Sequence, residues 1–226
     1  MKIFCIVSDT KHSGKTYLAS HIISSLKILG KKVCYYKPFV LEVKDGKLFD
    51  CDYIKNATNL NASDIFVSYA TNGNISPLHS IEKNGNINII EEKEINDLIY
   101  ENSENYDYMV FESLSLYSPI KENYNFIDLI SDIKIEKQII PIVEYNSNII
   151  HSCLEQIGLL HQISFKIPFI VVNVNRDIFI SAEVIEYIRK QISPIKIYLT
   201  EFEAKIKKIE EIKYPNIIKE LIPLNY

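Results

Sequence analysis

The chain has 226 residues, 47% of them hydrophobic and 24% charged, with a formal net charge of -4 and a pI near 5.8. That balance predicts a single α/β domain over residues 1–226 rather than two independent cores, and the mild acidity excludes the basic footprint of a nucleic-acid binder. Cys5, Cys34, Cys51 and Cys153 form no C-x-x-C pair and no metal-ligand spacing with the five histidines, so they read as reduced core residues.

MKIFCIV at the N-terminus is a short strand-like run rather than a signal peptide. No apolar stretch approaches the roughly 20 residues needed to span a bilayer. The sequence therefore predicts a soluble, cytoplasmic protein with no membrane partner.

Lys2–Val7 is a continuous apolar run, as expected of a parallel strand buried on both faces. A loop, Ser8–Ser13, follows. A helix is predicted from about Gly14 to Leu29, with Leu18, Ile22, Ile23, Leu26 and Leu29 at helical spacing and Gly30 as its stop. KKVCYYKP then gives a second strand ending before Pro38, which completes a βαβ unit. Asn59–Asn88 is polar, rich in asparagine and without clear period.

Further strands are predicted at 108–112, 138–144, 169–174 and 195–199, with helices at Ile90–Asn102, Asn148–Gln162 and Ala182–Gln191. Ser181 is a candidate cap for the last helix, and Asn146 or Ser147 for the middle one. Glu201–Lys213 reads as a solvated surface helix. This alternation predicts an α/β fold with a mostly parallel sheet covered by helices on both faces.

The loop carries the chemistry. SDTKHSGKT (Ser8–Thr16) lies between the first strand and the first helix and ends in Gly-Lys-Thr. Gly14 permits close backbone approach to phosphates, Lys15 supplies charge, and Thr16 supplies a hydroxyl for Mg²⁺, with the amides of Ser13–Thr16 around them. This predicts a P-loop NTPase architecture, Rossmann-like and three-layered, that binds a nucleotide with Mg²⁺. The usual pattern asks for glycine at position 9, which is Asp9 here. A loop longer by one residue moves that glycine to position 8, where the small Ser8 would allow the turn.

On that loop spacing the chain resembles dethiobiotin synthetase. The resemblance also uses YYKP, with Lys37-Pro38 closing the second strand, DCDYIKNAT (Asp50–Thr58) and ISPLHS (75–80). YDYMVFES, in which Glu112 ends a strand, and FIVVNVN, with Asn173, complete it. It implies that ATP, CO₂ and 7,8-diaminononanoate give dethiobiotin, ADP and phosphate through a phosphorylated carbamate, in a homodimer.

By the same resemblance Lys15 would hold the outer phosphates. Lys37 would face the carbamate and the γ-phosphate. Thr16, Asp50 and Glu112 would surround Mg²⁺, with Asp52 an alternative to Asp50, and Asn173 would touch adenine. The chain departs from the family at 112–119, ESLSLYSP, where glycines are expected.

Two other readings stay open. One is a MinD-like, partner-binding P-loop ATPase, which carries a signature lysine where this chain has Thr10, with Lys11 one residue away. The other is a nucleotide-binding domain that has lost catalysis.

Overall fold

The computed structural model describes residues 1–41, 43–44, 46–71, 76–78, 92–174, 180–201 and 221–222. The predicted surface helix beyond residue 201 and half of ISPLHS lie outside them. Seven strands form one sheet: β1 (Lys2–Ser8), β2 (Val33–Tyr36), β3 (Ile65–Phe66), β4 (Tyr108–Ser115), β5 (Lys137–Glu144), β6 (Phe169–Val174) and β7 (Lys196–Glu201). Their spatial order is β7-β6-β5-β1-β4-β2-β3, and every neighbouring pair is parallel.

The helices used below are α1 (Lys15–Ile28), α2 (Phe49–Thr58), α3 (Glu92–Glu101), α4 (Phe126–Asp132), α5 (Ile149–Gln162) and α6 (Ala182–Ile192). Strand alternation sends successive β1 side chains to opposite faces. Phe4 and Ile6 meet Leu18, Ile22, Ile23 and Leu26 of α1 on one side. Ile3, Cys5 and Val7 meet Ile95 and Ile99 of α3 and Phe126 and Leu129 of α4 on the other. Both faces are covered, which is why β1 is apolar throughout instead of alternating. A third cluster joins Val143, Ile170 and Val172 to Ile149 and Ile157 of α5 and to Ile185 and Ile188 of α6.

The predicted strands and helices agree with the matching elements to within a few residues at their ends, while β3 and α4 correspond to no predicted element. Two differences have clear causes. β4 runs on to Ser115, past the predicted end at 112, because Leu116 N–H bonds to Ser8 O at 2.9 Å and keeps β4 paired with β1. At α5 neither Asn146 nor Ser147 is the cap; Asn148 occupies that position without a side-chain bond, and Asn146 Oδ1 instead accepts from Asn148 N at 2.8 Å. Ser181 does cap α6, accepting from Val184 N.

All four cysteines are buried and free. Burial pushes each thiol pKa up to about 12, so they stay protonated and inert. No described helix is long and apolar enough to cross a membrane.

Candidate functional site

In open parallel sheets, ligands gather beyond the carboxyl ends of the strands, where the order of connections reverses. Here the chain leaves β1, skips one position to β2, returns to lay β4 between them, and then builds β5, β6 and β7 on the opposite side. The reversal is at β1, and the Ser8–Thr16 loop sits on its carboxyl end.

The loop turns without a glycine at its start. Ser8 is fully buried, its Oγ accepts from Thr10 N at 3.1 Å, and its backbone φ is not positive. The left-handed conformations fall instead on His12 (φ 58) and Gly14 (φ 95). Nothing at Ser8 or Asp9 therefore calls for glycine, and the departure from the usual pattern costs little. Gly14 is the N-cap of α1, whose first backbone N–H groups lack partners within the helix and point toward any bound anion.

Gly14 is also fixed by packing. A Cβ there would lie 2.6 Å from Asn173 Nδ2. Asn173 cannot easily yield: its Nδ2 donates to Ser13 O at 3.0 Å and its Oδ1 accepts from Thr200 Oγ1 at 3.2 Å. Both ends of this amide are engaged, and they brace the loop from beneath. Gly14→Ala is expected to destabilise the protein by about 1–3 kcal/mol through strain alone. A melting curve of the variant equal to the wild type would contradict this packing.

Lys15 Nζ folds back over the loop, donating to Thr10 O at 2.8 Å and to Ser13 Oγ at 3.3 Å. Burial is the main influence on it and pulls its pKa down to about 8, with the Lys37 charge adding to the effect and Glu112 and Asp50 opposing it.

Beside Lys15 lies a cluster drawn from four elements. Tyr35 and Lys37 lie two residues apart at the end of β2 and so share the face toward α1. Val110 and Glu112 share that face on β4. Lys37 Nζ donates to Asp50 Oδ2 at 2.5 Å and to Glu112 Oε1 at 2.7 Å. Thr16 Oγ1 donates to the same Glu112 oxygen at 2.9 Å and lies 3.4 Å from Asp50 Oδ1. Tyr35 donates its hydroxyl to Glu112 Oε2 at 2.7 Å. Burial works against the charge on Lys37, but Glu112 and Asp50 more than offset it and hold its pKa above the ordinary lysine range. Burial likewise disfavours the Asp50 carboxylate, yet Lys37 and Thr16 keep its pKa below the usual value.

These residues open into a cavity of about 570 Å³, whose wall includes Gly14, Lys15, Thr16, Lys37, Asp50 and Glu112. Asp52 is on the wall too, but it is Asp50 that joins the cluster. Leu41, Phe49 and Tyr53 form an apolar side that sequence reasoning misses. Tyr35 and Thr200 are missed as well. Tyr35 is within reach of strand alternation, because it sits two residues before Lys37; Thr200 gives no signal. Among the described residues no group of three or more His, Cys, Asp or Glu could hold a metal. The Thr16 hydroxyl and two carboxylates are hard oxygen donors, and the Lys37 ammonium between them marks a place where positive charge is favoured. Such a set fits Mg²⁺, which takes few protein ligands and completes its shell with phosphate and water.

A scan against protein-family models gives no match, and neither does a search of curated proteins. Solved structures do match. The McdA protein of Cyanothece in its apo form superposes with a TM-score of 0.60 at 16% identity, covering 97% of this chain and 96% of that one. The MinC:MinD cell division complex of Aquifex aeolicus gives 0.54 at 20% identity, with 91% and 83% covered. MinD of Pyrococcus horikoshii with Mg-ADP gives 0.53 at 13% identity, with 91% and 82% covered.

These neighbours overturn the resemblance to dethiobiotin synthetase, and with it the diamine substrate, CO₂ and the ring-closing ligase reaction. The local structure agrees with the correction. At 112–115 the chain stays in strand, with Ser113 buried and Leu116 fixed in the core, where the resemblance requires a glycine loop around a substrate. Lys37, which the resemblance gives to the carbamate, is engaged by two carboxylates. The described residues have the three-layer α/β fold of P-loop NTPases, of the kind seen in MinD and McdA.

Proposed function

We propose that this single-domain chain is a Mg²⁺-dependent P-loop ATPase whose bound nucleotide controls association with a protein partner, in the manner of MinD, and with a second copy of itself. The observation that carries the reading is Gly14-Lys15-Thr16 at the N-terminus of α1, with Thr16 Oγ1 2.9 Å from Glu112. The likeness to MinD, one structure of which is a complex with MinC, supports a protein as the partner. Thr10 stands where MinD-like proteins carry their signature lysine, so Lys15 and Lys11 on the cavity wall are the loop's own cations for the outer phosphates.

In this site the amides of Ser13–Thr16 and the Lys15 ammonium would hold the β- and γ-phosphates. Thr16, Asp50 and Glu112 would hold Mg²⁺, which when bound neutralises charge on the transferred phosphoryl group. Glu112, kept in place by Tyr35, fixes the position of that oxygen cluster. Asn173, buried against Gly14, supports the loop through its bond to Ser13 O. The protein's contribution is positioning and charge.

The test is phosphate release from Mg-ATP, together with molar mass measured in ATP analogue and in ADP. Turnover with a nucleotide-dependent change of mass is the expected result. Tight binding with no turnover under any condition would leave only a nucleotide-binding domain and would refute the ATPase.

Lys15 gives a pH-dependent signature. Its pKa in the folded chain is depressed to about 8, so its charge is costly below that value and the cost fades as pH rises toward the unfolded value of 10.5. Phosphates around it would restore the charged form. Binding of Mg-ATP at pH 8 should therefore take up about half a proton, falling to almost none near pH 6.5. Calorimetry in buffers of different ionisation enthalpy reads this directly, and proton release at pH 8 would contradict it.

A further inference from the structure

Between Asp50, Glu112 and Thr16, where a divalent cation would bind, the protein places its own ammonium. Lys37 Nζ sits 2.5 Å from Asp50 Oδ2 and 2.7 Å from Glu112 Oε1. Thr16 Oγ1 lies 2.9 Å from that Glu112 oxygen and 3.4 Å from the other Asp50 oxygen. The same donor oxygens thus already surround one positive charge. Glu112 is 1% exposed and anchored on its far side by Tyr35. The Asp50 side chain is 40% exposed, so the cluster is open on one flank, toward the cavity.

The charges decide what can enter. Without nucleotide, Lys15 and Lys37 balance Asp50 and Glu112. A divalent cation arriving alone must expel Lys37 from both of its carboxylates or sit against it, and either leaves surplus positive charge in a partly buried place. A cation arriving with a polyphosphate meets neither obstacle, because the phosphates carry the compensating charge and give the expelled ammonium a new partner.

We propose that Lys37 is an internal counter-ion that excludes divalent metal from the Thr16–Asp50–Glu112 site until a nucleotide polyphosphate arrives, and then moves onto the polyphosphate. This rests on the nucleotide-binding reading above. It makes Lys37 the residue that couples metal binding to nucleotide binding: the metal enters with its phosphates and never ahead of them. It also assigns Lys37 a place beside the terminal phosphate in the loaded state without any small-molecule acceptor.

Mn²⁺ serves as the probe for Mg²⁺, since its free and bound forms differ in electron paramagnetic resonance. Wild-type protein should leave Mn²⁺ free when no nucleotide is present and bind it when a non-hydrolysable ATP analogue is added. Lys37→Met should bind Mn²⁺ without nucleotide at least about 100-fold more tightly than the wild type, because two carboxylates then lack their counter-ion. Lys37→Arg keeps the charge and should exclude the metal as the wild type does.

Mn²⁺ binding to the wild type alone, or equal affinity in wild type and Lys37→Met, would overturn the proposal. So would nucleotide-free binding by Lys37→Arg. Should Lys37→Met fold only when Mn²⁺ is supplied, that supports the proposal; should it not fold at all, the wild-type and Lys37→Arg measurements decide. Failure of the nucleotide-binding reading is seen separately, as absence of heat when the analogue is titrated into wild type, while the nucleotide-free comparison of variants still reports on Lys37.

Discussion

Lys15→Ala is expected to weaken Mg-ATP binding and to lower phosphate release by about 10²–10³-fold, the usual effect of removing one well-placed electrostatic contact. The fold should survive the change. Lys15 is a buried cation whose charge is disfavoured by burial, bonded to Thr10 O and Ser13 Oγ in its own loop. Removing it takes away a cost as well as two hydrogen bonds, so the melting curve should stay close to that of the wild type. Lost binding with an unchanged melting curve places Lys15 in the phosphate site. Undiminished turnover would remove it.

Glu112→Leu should have the largest effect on stability. Glu112 receives Lys37, Thr16 and Tyr35, and is 1% exposed. Without it Lys37 is left with the half-exposed Asp50, and the fully buried Tyr35 hydroxyl loses its acceptor. Breaking a buried ion pair from one side costs about 3–5 kcal/mol, which lowers Tm by about 6–20 °C in a chain of this size.

The partner change sharpens the test. In the double variant Glu112→Leu with Lys37→Met no unpaired cation remains, and apolar replacements of buried pairs are often neutral. Much of the lost stability should return. A double variant no more stable than Glu112→Leu alone would show that the ion pair is not what holds this corner of the sheet. Thermal unfolding of the wild type and the three variants measures the cycle.

The sheet is legible in the sequence because its strands are short apolar runs separated by amphipathic helices, and two-sided burial leaves that pattern in β1, β5 and β6 alike. The phosphate loop is legible for a local reason: Gly14, Lys15 and Thr16 are consecutive in the chain. The cluster is only partly so. Lys37, Asp50 and Glu112 come from three elements far apart in sequence, and their convergence depends on β4 lying between β1 and β2. Sequence order cannot convey that placement.

Where expectation and structure part, a motif has stood for more than its own residues. Ser8 does permit the turn, but not in a glycine's place: φ at His12 and Gly14 meets the conformational demand, and Ser8 acts through its hydroxyl. The resemblance to dethiobiotin synthetase is drawn from short matches around the strand ends. A lysine, a carboxylate and an asparagine at those ends serve the loop and its neighbours whether or not a small acid is bound. The missing glycines at 112–119 are the better guide, since 112–115 continue the strand where the resemblance asks for a glycine loop.

The most direct measurement is a calorimetric titration of the protein with Mg-ATP at millimolar concentration. Triphosphate seated between the β1 loop and the β2 and β4 strand ends predicts saturable heat with one site per chain, greatly weakened in Lys15→Ala. A flat titration of correctly folded wild-type protein would contradict nucleotide binding, and with it the whole reading of the site.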